Sequence, residues 1–580
     1  MSTAVVVALS AIVLVATAST VIGAFGVRFA RNTSDFLVAS RTVRPAANAG
    51  AISGEYLSAA SFLGVAGLIL KDGPDALWYP VGFTAGYLAL LLFVAAPLRR
   101  SGAYTVPDFA DFRLRSPLLG RVCATFVIVI GWLYLLPQLQ GAGLTVETVA
   151  PGSPRWIGMV AAAVVVVVTV MIGGMRSITF VQAFQFWLKF TALAVPTIIL
   201  VLYIGGDHRP LNRPAPPQFP ADTTITVKTD VTLEVTQAVT FMATGVLDGE
   251  PRDGLSRWGI GRHTVTKGSE LVFPAGTLVP VPKGYPVRDS TWLTPLSGDA
   301  EHQMFAIYSL IIATFLGTMG LPHVLVRFYT NPDGRTARWT TVIVLALIGA
   351  FYLLPAALGA LSRLYVPQLL VSGDTDAAVL LLPTAVLGSG VLGTALAGLV
   401  TAGAWAAFLS TSSGLVVSVA GVLSTSPTLF PRGGVLSFRL SAIVAGVVPL
   451  TLALFATRLD FSQTVSLAFA VAASTFCPLL VLGIWWAGLT DRGAIAGLLV
   501  GGISSAAAVT TSLFDLAPGG WVGILLERPA AVTVPAAFLT MVLVSKLTSG
   551  QLLPDVSRLM LRMHAPERLG LSQDRVNRLR

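Results

Sequence analysis

Thirteen runs of about 20 mostly apolar residues follow one another along the chain, at about 3–25, 46–70, 77–98, 119–141, 155–173, 180–204, 303–323, 339–364, 391–421, 435–457, 463–486, 494–516 and 529–547. Each is long enough to cross the hydrocarbon core of a bilayer as a helix. Inside that core every backbone polar group has to be satisfied within the protein, so the chain is expected to fold as an all-α polytopic membrane protein. Composition agrees: 54% of the 580 residues are hydrophobic and only 11% are charged, against about 25% charged in soluble domains.

The formal charge of +10 raises the thought of nucleic acid, but the cations sit where topology needs them. Arg28, Arg31, Arg41 and Arg44 follow the first run, Arg99, Arg100, Arg113 and Arg115 the third, and Arg327, Arg335 and Arg338 the seventh. The tail adds Arg558, Arg562, Arg568, Arg575, Arg578 and Arg580, whereas the opposite connections carry only scattered cations such as Lys71 and Arg363. By the positive-inside rule the N-terminus is expected outside the cell membrane and the C-terminus in the cytoplasm. No Lys or Arg precedes the apolar stretch of the first run, so it reads as a retained helix rather than a cleaved signal peptide, despite "ATA" at 16–18. Cys123 and Cys477 both fall within runs and offer neither a disulfide framework nor a metal cage.

The runs divide the chain into an N-terminal extra helix (1–30), a five-helix group (46–204), one long connection (205–302), a second five-helix group (303–486), two extra helices (494–547) and a basic tail (548–580). Five is odd, so the second group enters from the opposite face. That is the arithmetic of an inverted repeat, in which the first helix of each half is broken near the midplane and lines the binding site. Both first helices carry the expected weakness. "GAISGEYLSAASFLGVAG" at 50–67 is poor in leucine, and "GTMGLPH" at 317–323 places Gly317, Gly320 and Pro322 in mid-membrane. Close packing through small residues is the alternative reading of such glycines. The long connection alternates over "TTITVKTDVTLEV", which predicts a short strand or two in a β-rich cap; a Pro-rich loop is the alternative.

Glu55 is the only acid in the second run. A charged group at a helix centre costs roughly 2.5–3.5 kcal/mol, so it is expected either on an ion pathway or as a structural acceptor. In "AGAWAAFLSTSSGLVVS" at 402–418, Ser410 and Thr411 project about 100° apart on a helix. Both can reach one ion at the helix edge, joined by the Ala407 carbonyl a turn earlier. Hydroxyls bonding back to the preceding turn are the alternative. Lys189 reads either as snorkelling to the interface or as serving inside the bundle. His323 reads as a structural hydrogen-bonding residue. "GSGVLG" at 388–393 lacks the strand that a dinucleotide site needs. Because no nucleophile–base set stands out, an enzyme is not expected, and the tail is too short for a signalling domain of a membrane sensor.

"SDFLVASR" at 34–41, "GEYLSAASFLGVAG" at 54–67, "QLQGAG" at 138–143, "IGGMRSITFVQAFQ" at 172–185, "GTMGLPHVLVRFYT" at 317–330 and "AAFLSTSSG" at 406–414 together resemble the sodium/solute symporter family, in its cation/acetate and monocarboxylate branch. The resemblance implies a LeuT-type 5+5 inverted-repeat core with one N-terminal and two C-terminal extra helices. It implies no cofactor, and sodium as coupling ion with the proton as alternative. It also implies a sodium site made by the carbonyls of Gly54, Leu57 and Ala407 and the hydroxyls of Ser410 and Thr411. The solute it implies is a small monocarboxylate such as acetate, propionate or pyruvate, with proline or a vitamin as alternative. Ser58, Ser61 and Gln138, with Gly317 and Gly320 at the second break, are the expected solute contacts. Where the family carries "TD", this chain has Val181 and Gln182, which puts a second sodium site in doubt. The expected partners are the carboxylate, a monovalent cation and the lipid bilayer, with no nucleic acid, and at most a small membrane accessory protein of unknown identity.

Overall fold

The computed structural model describes residues 2–26, 45–103, 105–205, 213–297, 302–425, 434–456, 461–514, 516 and 518–566. The motif at 34–41, the cations at 28–44 and the tail beyond Pro566 lie outside the described residues. Among the described residues, twelve helices are long and apolar enough to cross a membrane. The run at 46–70 does not form one helix: Pro45–Tyr56 stops, Leu57 and Ser58 are not helical, and a π-helical turn at Ala60–Gly64 leads into Val65–Asp72. The seventh run breaks in the same way, Gln303–Gly320 giving over at an extended Leu321 to Pro322–Phe328. Both breaks fall where the inverted repeat places them.

The central stretch of the helix Val391–Ser424 is wholly buried, and that of Phe461–Trp485 nearly so; helix segments apolar all round belong in the core of a bundle. Around them pack the two broken helices, Pro117–Val149 and Arg155–Ile204. The fifth and sixth runs are helical without interruption over the 50 residues of Arg155–Ile204. The chain nevertheless doubles back within it. A side chain built on Gly23 would find Thr169 at 3.2 Å and Val181 at 3.9 Å, whereas 12 residues of straight helix span about 18 Å.

The loops rich in cations meet at one end of the bundle. Arg99 donates to the carbonyls of Asn331 and Pro332, Arg115 pairs with Asp555 at 2.6 Å, and Arg100 donates to the His564 carbonyl. Among the expected loop cations that are instead deep in the protein, Arg327 is 1% exposed and Arg363 is 0% exposed. A guanidinium counted as topogenic by its place in the sequence can be drawn inside when a buried acid waits for it, and each of these finds one.

The long connection is more ordered than a strand or two. Its strands are β1 (Thr223–Thr226), β2 (Val231–Val235), β3 (Val239–Leu247), β4 (Glu250–Trp258), β5 (Gly261–Val265), β6 (Glu270–Phe273) and β7 (Val281–Pro282). They form one sheet in the order β1-β6-β3-β5-β2-β7, with β4 paired to β3, so the protein is all-α only within the bundle. Asp248 and Gly249, both at positive φ, make the tight β3–β4 turn. Phe219, Phe241, Trp258 and Phe273 stack as its small core. Arg363 fastens this segment to the bundle, reaching Asp289 at 3.2 Å and the carbonyls of Leu70 and Pro286 at 3.3 Å.

Candidate functional site

A helix that ends inside a protein leaves its last four carbonyls without partners from its own ladder. The helix Pro45–Tyr56 ends among buried side chains that supply them. Ser410 lies with its hydroxyl 2.7 Å from the Gly54 carbonyl and 3.1 Å from the Ala407 carbonyl, and Thr411 donates to the Glu55 carbonyl at 2.6 Å. Across the gap, the Ala59 amide, freed by the same break, donates to Gln138 Oε1 at 2.9 Å. Gln138 thus caps the restarted chain with its carbonyl oxygen, which is not left free for a solute.

Of the five expected cation ligands, Gly54, Leu57, Ala407 and Ser410 converge, while Thr411 is turned toward the neighbouring carbonyl of Glu55. Lys189 stands in their midst. Its Nζ donates to Gly54 O at 2.5 Å, Leu57 O at 2.6 Å and Ser410 Oγ at 2.9 Å. Among the alternatives weighed for this lysine, the buried one is the structure's: it is 0% exposed.

Glu55 is held beside this cluster. Arg327 donates to Glu55 Oε2 at 2.6 Å, to Thr179 Oγ1 at 2.8 Å and to Gln182 Oε1. Gln182 in turn donates to the Ser410 carbonyl at 2.8 Å and to Ser413. Gln182, at a position where the resemblance implies an acid, therefore ties the ion pair to the cation ligands. Thr179, Gln182 and Lys189 share one face of the helix Arg155–Ile204, at spacings of three and seven residues. Two glycines make room. A Cβ on Gly54 would lie 2.4 Å from the Gln182 carbonyl, and one on Gly414 would lie 2.0 Å from Glu55 Oε1.

The expected solute contacts divide. Ser61 bonds the Tyr352 hydroxyl at 2.9 Å. Ser58 lies beside the Tyr134 hydroxyl without a well-formed hydrogen bond. The Tyr87 hydroxyl and both ring nitrogens of His323 also lack partners in the buried surroundings of the break, so His323 has no structural hydrogen bond to account for it. Gly317 and Gly320 face elsewhere: Cβ atoms on them would lie 2.5 Å from the carbonyls of Phe469 and Ala472. They let Gln303–Gly320 pack against Phe461–Trp485, which is the small-residue packing reading of the glycines. A cavity of about 400 Å³ opens where the β segment meets the bundle, lined by Lys71, Asp75, Tyr79 and Arg528 among others. Packed rings of Phe83, Tyr56, Tyr352 and Phe469 lie beyond Tyr79, on the way to the break.

Sequence reasoning passed over Arg327 as a loop cation and left Lys189 undecided. The available signal was that each is a strongly polar side chain flanked by apolar residues, in "HVLVRFYT" and "FQFWLKFTALAV". Among the described residues, no three His, Cys, Asp or Glu side chains gather to hold a metal.

Two solved structures share this architecture. One is a Na+-coupled sialic acid symporter in a substrate-bound outward-open state, with a TM-score of 0.62 at 14% identity, covering 93% of this chain and 98% of that one. The other is Mhp1, a nucleobase-cation-symport-1 family transporter in a closed conformation with bromovinylhydantoin bound, with a TM-score of 0.51 at 14% identity, covering 92% and 99%. The fold is thus the LeuT-type fold of symporters. Among curated proteins, the chain is 28% identical over 529 residues to the uncharacterized symporter YwcA of Bacillus subtilis, covering 89% of each. It is 29% identical over 527 residues to the monocarboxylic acid transporter of Corynebacterium glutamicum, covering 87% of this chain and 85% of that one. The model of the Sodium:solute symporter family matches residues 36–247 and 265–501, a span that takes in both broken helices and every residue of the cluster at Lys189, and the chain belongs to that family.

Proposed function

We propose that this protein is a secondary symporter that imports a small monocarboxylate such as acetate, propionate or pyruvate across the cell membrane, driven by an inward cation gradient. The observation that carries the choice of solute is the charge buried at the break. Two buried cations, Lys189 on backbone carbonyls and Arg327 paired with Glu55, have that single acid between them, leaving a positive surplus in the neighbourhood of the unpartnered Ser58, Tyr87 and His323 atoms. A carboxylate offsets that surplus and accepts from those donors, whereas a neutral solute does only the second. The monocarboxylic acid transporter among the relatives supports the same reading. Ser58, Ser61 and the amide nitrogen of Gln138, whose oxygen is taken by Ala59, are the proposed neighbours of the solute, and Tyr87 and His323 join them. The N-terminus outside, the C-terminus in the cytoplasm and the β segment outside complete the proposal, supported by the shared end of the cation-bearing loops.

Family membership supports sodium as the coupling cation. Each positive charge moved inward gains about 2.3 kcal/mol per 100 mV. A second reading, coupling to protons, is favoured by one observation: the expected sodium ligands already hold an amino group. Uptake of labelled acetate, propionate and pyruvate into proteoliposomes, with sodium and pH gradients imposed separately, tests both. Saturable accumulation under either gradient is expected. Accumulation of proline or a vitamin with none of the three acids would overturn the substrate reading.

A further inference from the structure

A buried lysine ordinarily meets a carboxylate, because a charge taken out of water needs an opposite charge to offset it. Lys189 does not: Glu55, the nearby acid, has its Oε2 engaged by Arg327 at 2.6 Å. The partners of Lys189 are instead two backbone carbonyls and a hydroxyl. Uncharged oxygens from an interrupted helix and a neighbouring Ser are the donor set that suits a hard monovalent cation. Both carbonyls lie at the C-terminal end of the helix Pro45–Tyr56, where the peptide dipoles present their negative end. The three N–H donors of an ammonium meet three acceptors here, so the seat is complete without a further ligand.

We propose that the Lys189 ammonium is the resident cation of this seat, a tethered replacement for the sodium ion that the same oxygens would otherwise take. The proposal rests on reading these oxygens as the symporter's cation site. An ion cannot share the space with Nζ at 2.5–2.9 Å from three of its ligands. The seat is therefore filled at any sodium concentration, its charge is fixed to the protein, and the broken helix is tied to Arg155–Ile204 and Val391–Ser424 without an ion. Sodium acts on this chain, where it acts, through other groups.

Binding of radioactive sodium to the purified full chain in lipid nanodiscs tests this, with choline as the control cation. The native protein is expected to show no sodium binding that Ser410→Ala removes. Lys189→Met frees the oxygens and is expected to bind sodium at least tenfold more tightly than the native chain, and Lys189→Met with Ser410→Ala is expected to lose that gain. Native binding abolished by Ser410→Ala would overturn the proposal, as would a folded Lys189→Met that gains nothing. Should Lys189→Met fail to fold, the native chain and Ser410→Ala decide between them: sodium binding lost on removing the hydroxyl overturns the proposal, and two equally sodium-insensitive proteins support it. Carboxylate uptake by the same proteins reconstituted in proteoliposomes separates the two readings, since its failure beside the expected sodium result removes the substrate assignment and leaves that of Lys189.

Discussion

Glu55 and Arg327 are 1% exposed each, and a pair this deep is costly to break from one side only. Arg327→Ala leaves a buried carboxylate facing Gln182 and a glycine; the expected loss is about 3–5 kcal/mol. It would show as a lower thermal unfolding midpoint in detergent or nanodiscs. Replacing both residues, Glu55→Gln with Arg327→Met, is expected to cost less than Arg327→Ala alone. Equal or greater loss in the double variant would argue against a mutual pairing. Gly414→Ala tests the same spot by size, because its Cβ would sit 2.0 Å from Glu55 Oε1. Glu55 must move, and a loss of about 1–3 kcal/mol is expected; a neutral result would mean that the carboxylate is not held there. Sequence reasoning recognised Glu55 as exceptional but not its partner, because the two are 272 positions apart and only the fold brings them together.

At the scale of elements, the two broken helices differ in what secures them. In the second run the freed Ala59 amide is capped by Gln138, so Gln138→Ala is expected to cost about 1–3 kcal/mol by leaving that N–H unsatisfied. Gln138→Glu, which keeps an acceptor, should retain more stability than alanine. The break at Leu321 needs no such cap for its next residue, since Pro322 has no N–H. The packing glycines make a separate prediction. Gly317→Ala forces the helices Gln303–Gly320 and Phe461–Trp485 apart and should lower the unfolding midpoint, while any folded fraction keeps the KM of the native protein for its solute. A large KM change with unchanged stability would return Gly317 to the solute site. The existence of both breaks was legible in glycine and proline content, because backbone irregularity leaves a compositional trace; the face each glycine presents leaves none.

Across the whole molecule, the β segment is fastened through Asp289 and Arg363, with the Trp292 indole donating to the Ile69 carbonyl at 2.8 Å. Arg363→Ala is expected to raise hydrogen exchange across 213–297 and to leave exchange at the cluster around Lys189 unchanged. Uniform change in both would mean that the segment and the bundle unfold as one. The amino-acid sequence by itself determined the membrane-spanning class, the odd-numbered groups and the places where helices must fail, because the bilayer acts on hydrophobic length and on backbone satisfaction, both of which are local properties. Tertiary structure alone decided which charges meet: Arg327 with Glu55, Arg363 with Asp289, and Lys189 with the carbonyls of Gly54 and Leu57. The energy of a buried charge depends on what surrounds it in three dimensions, and its neighbours along the chain carry little of that information.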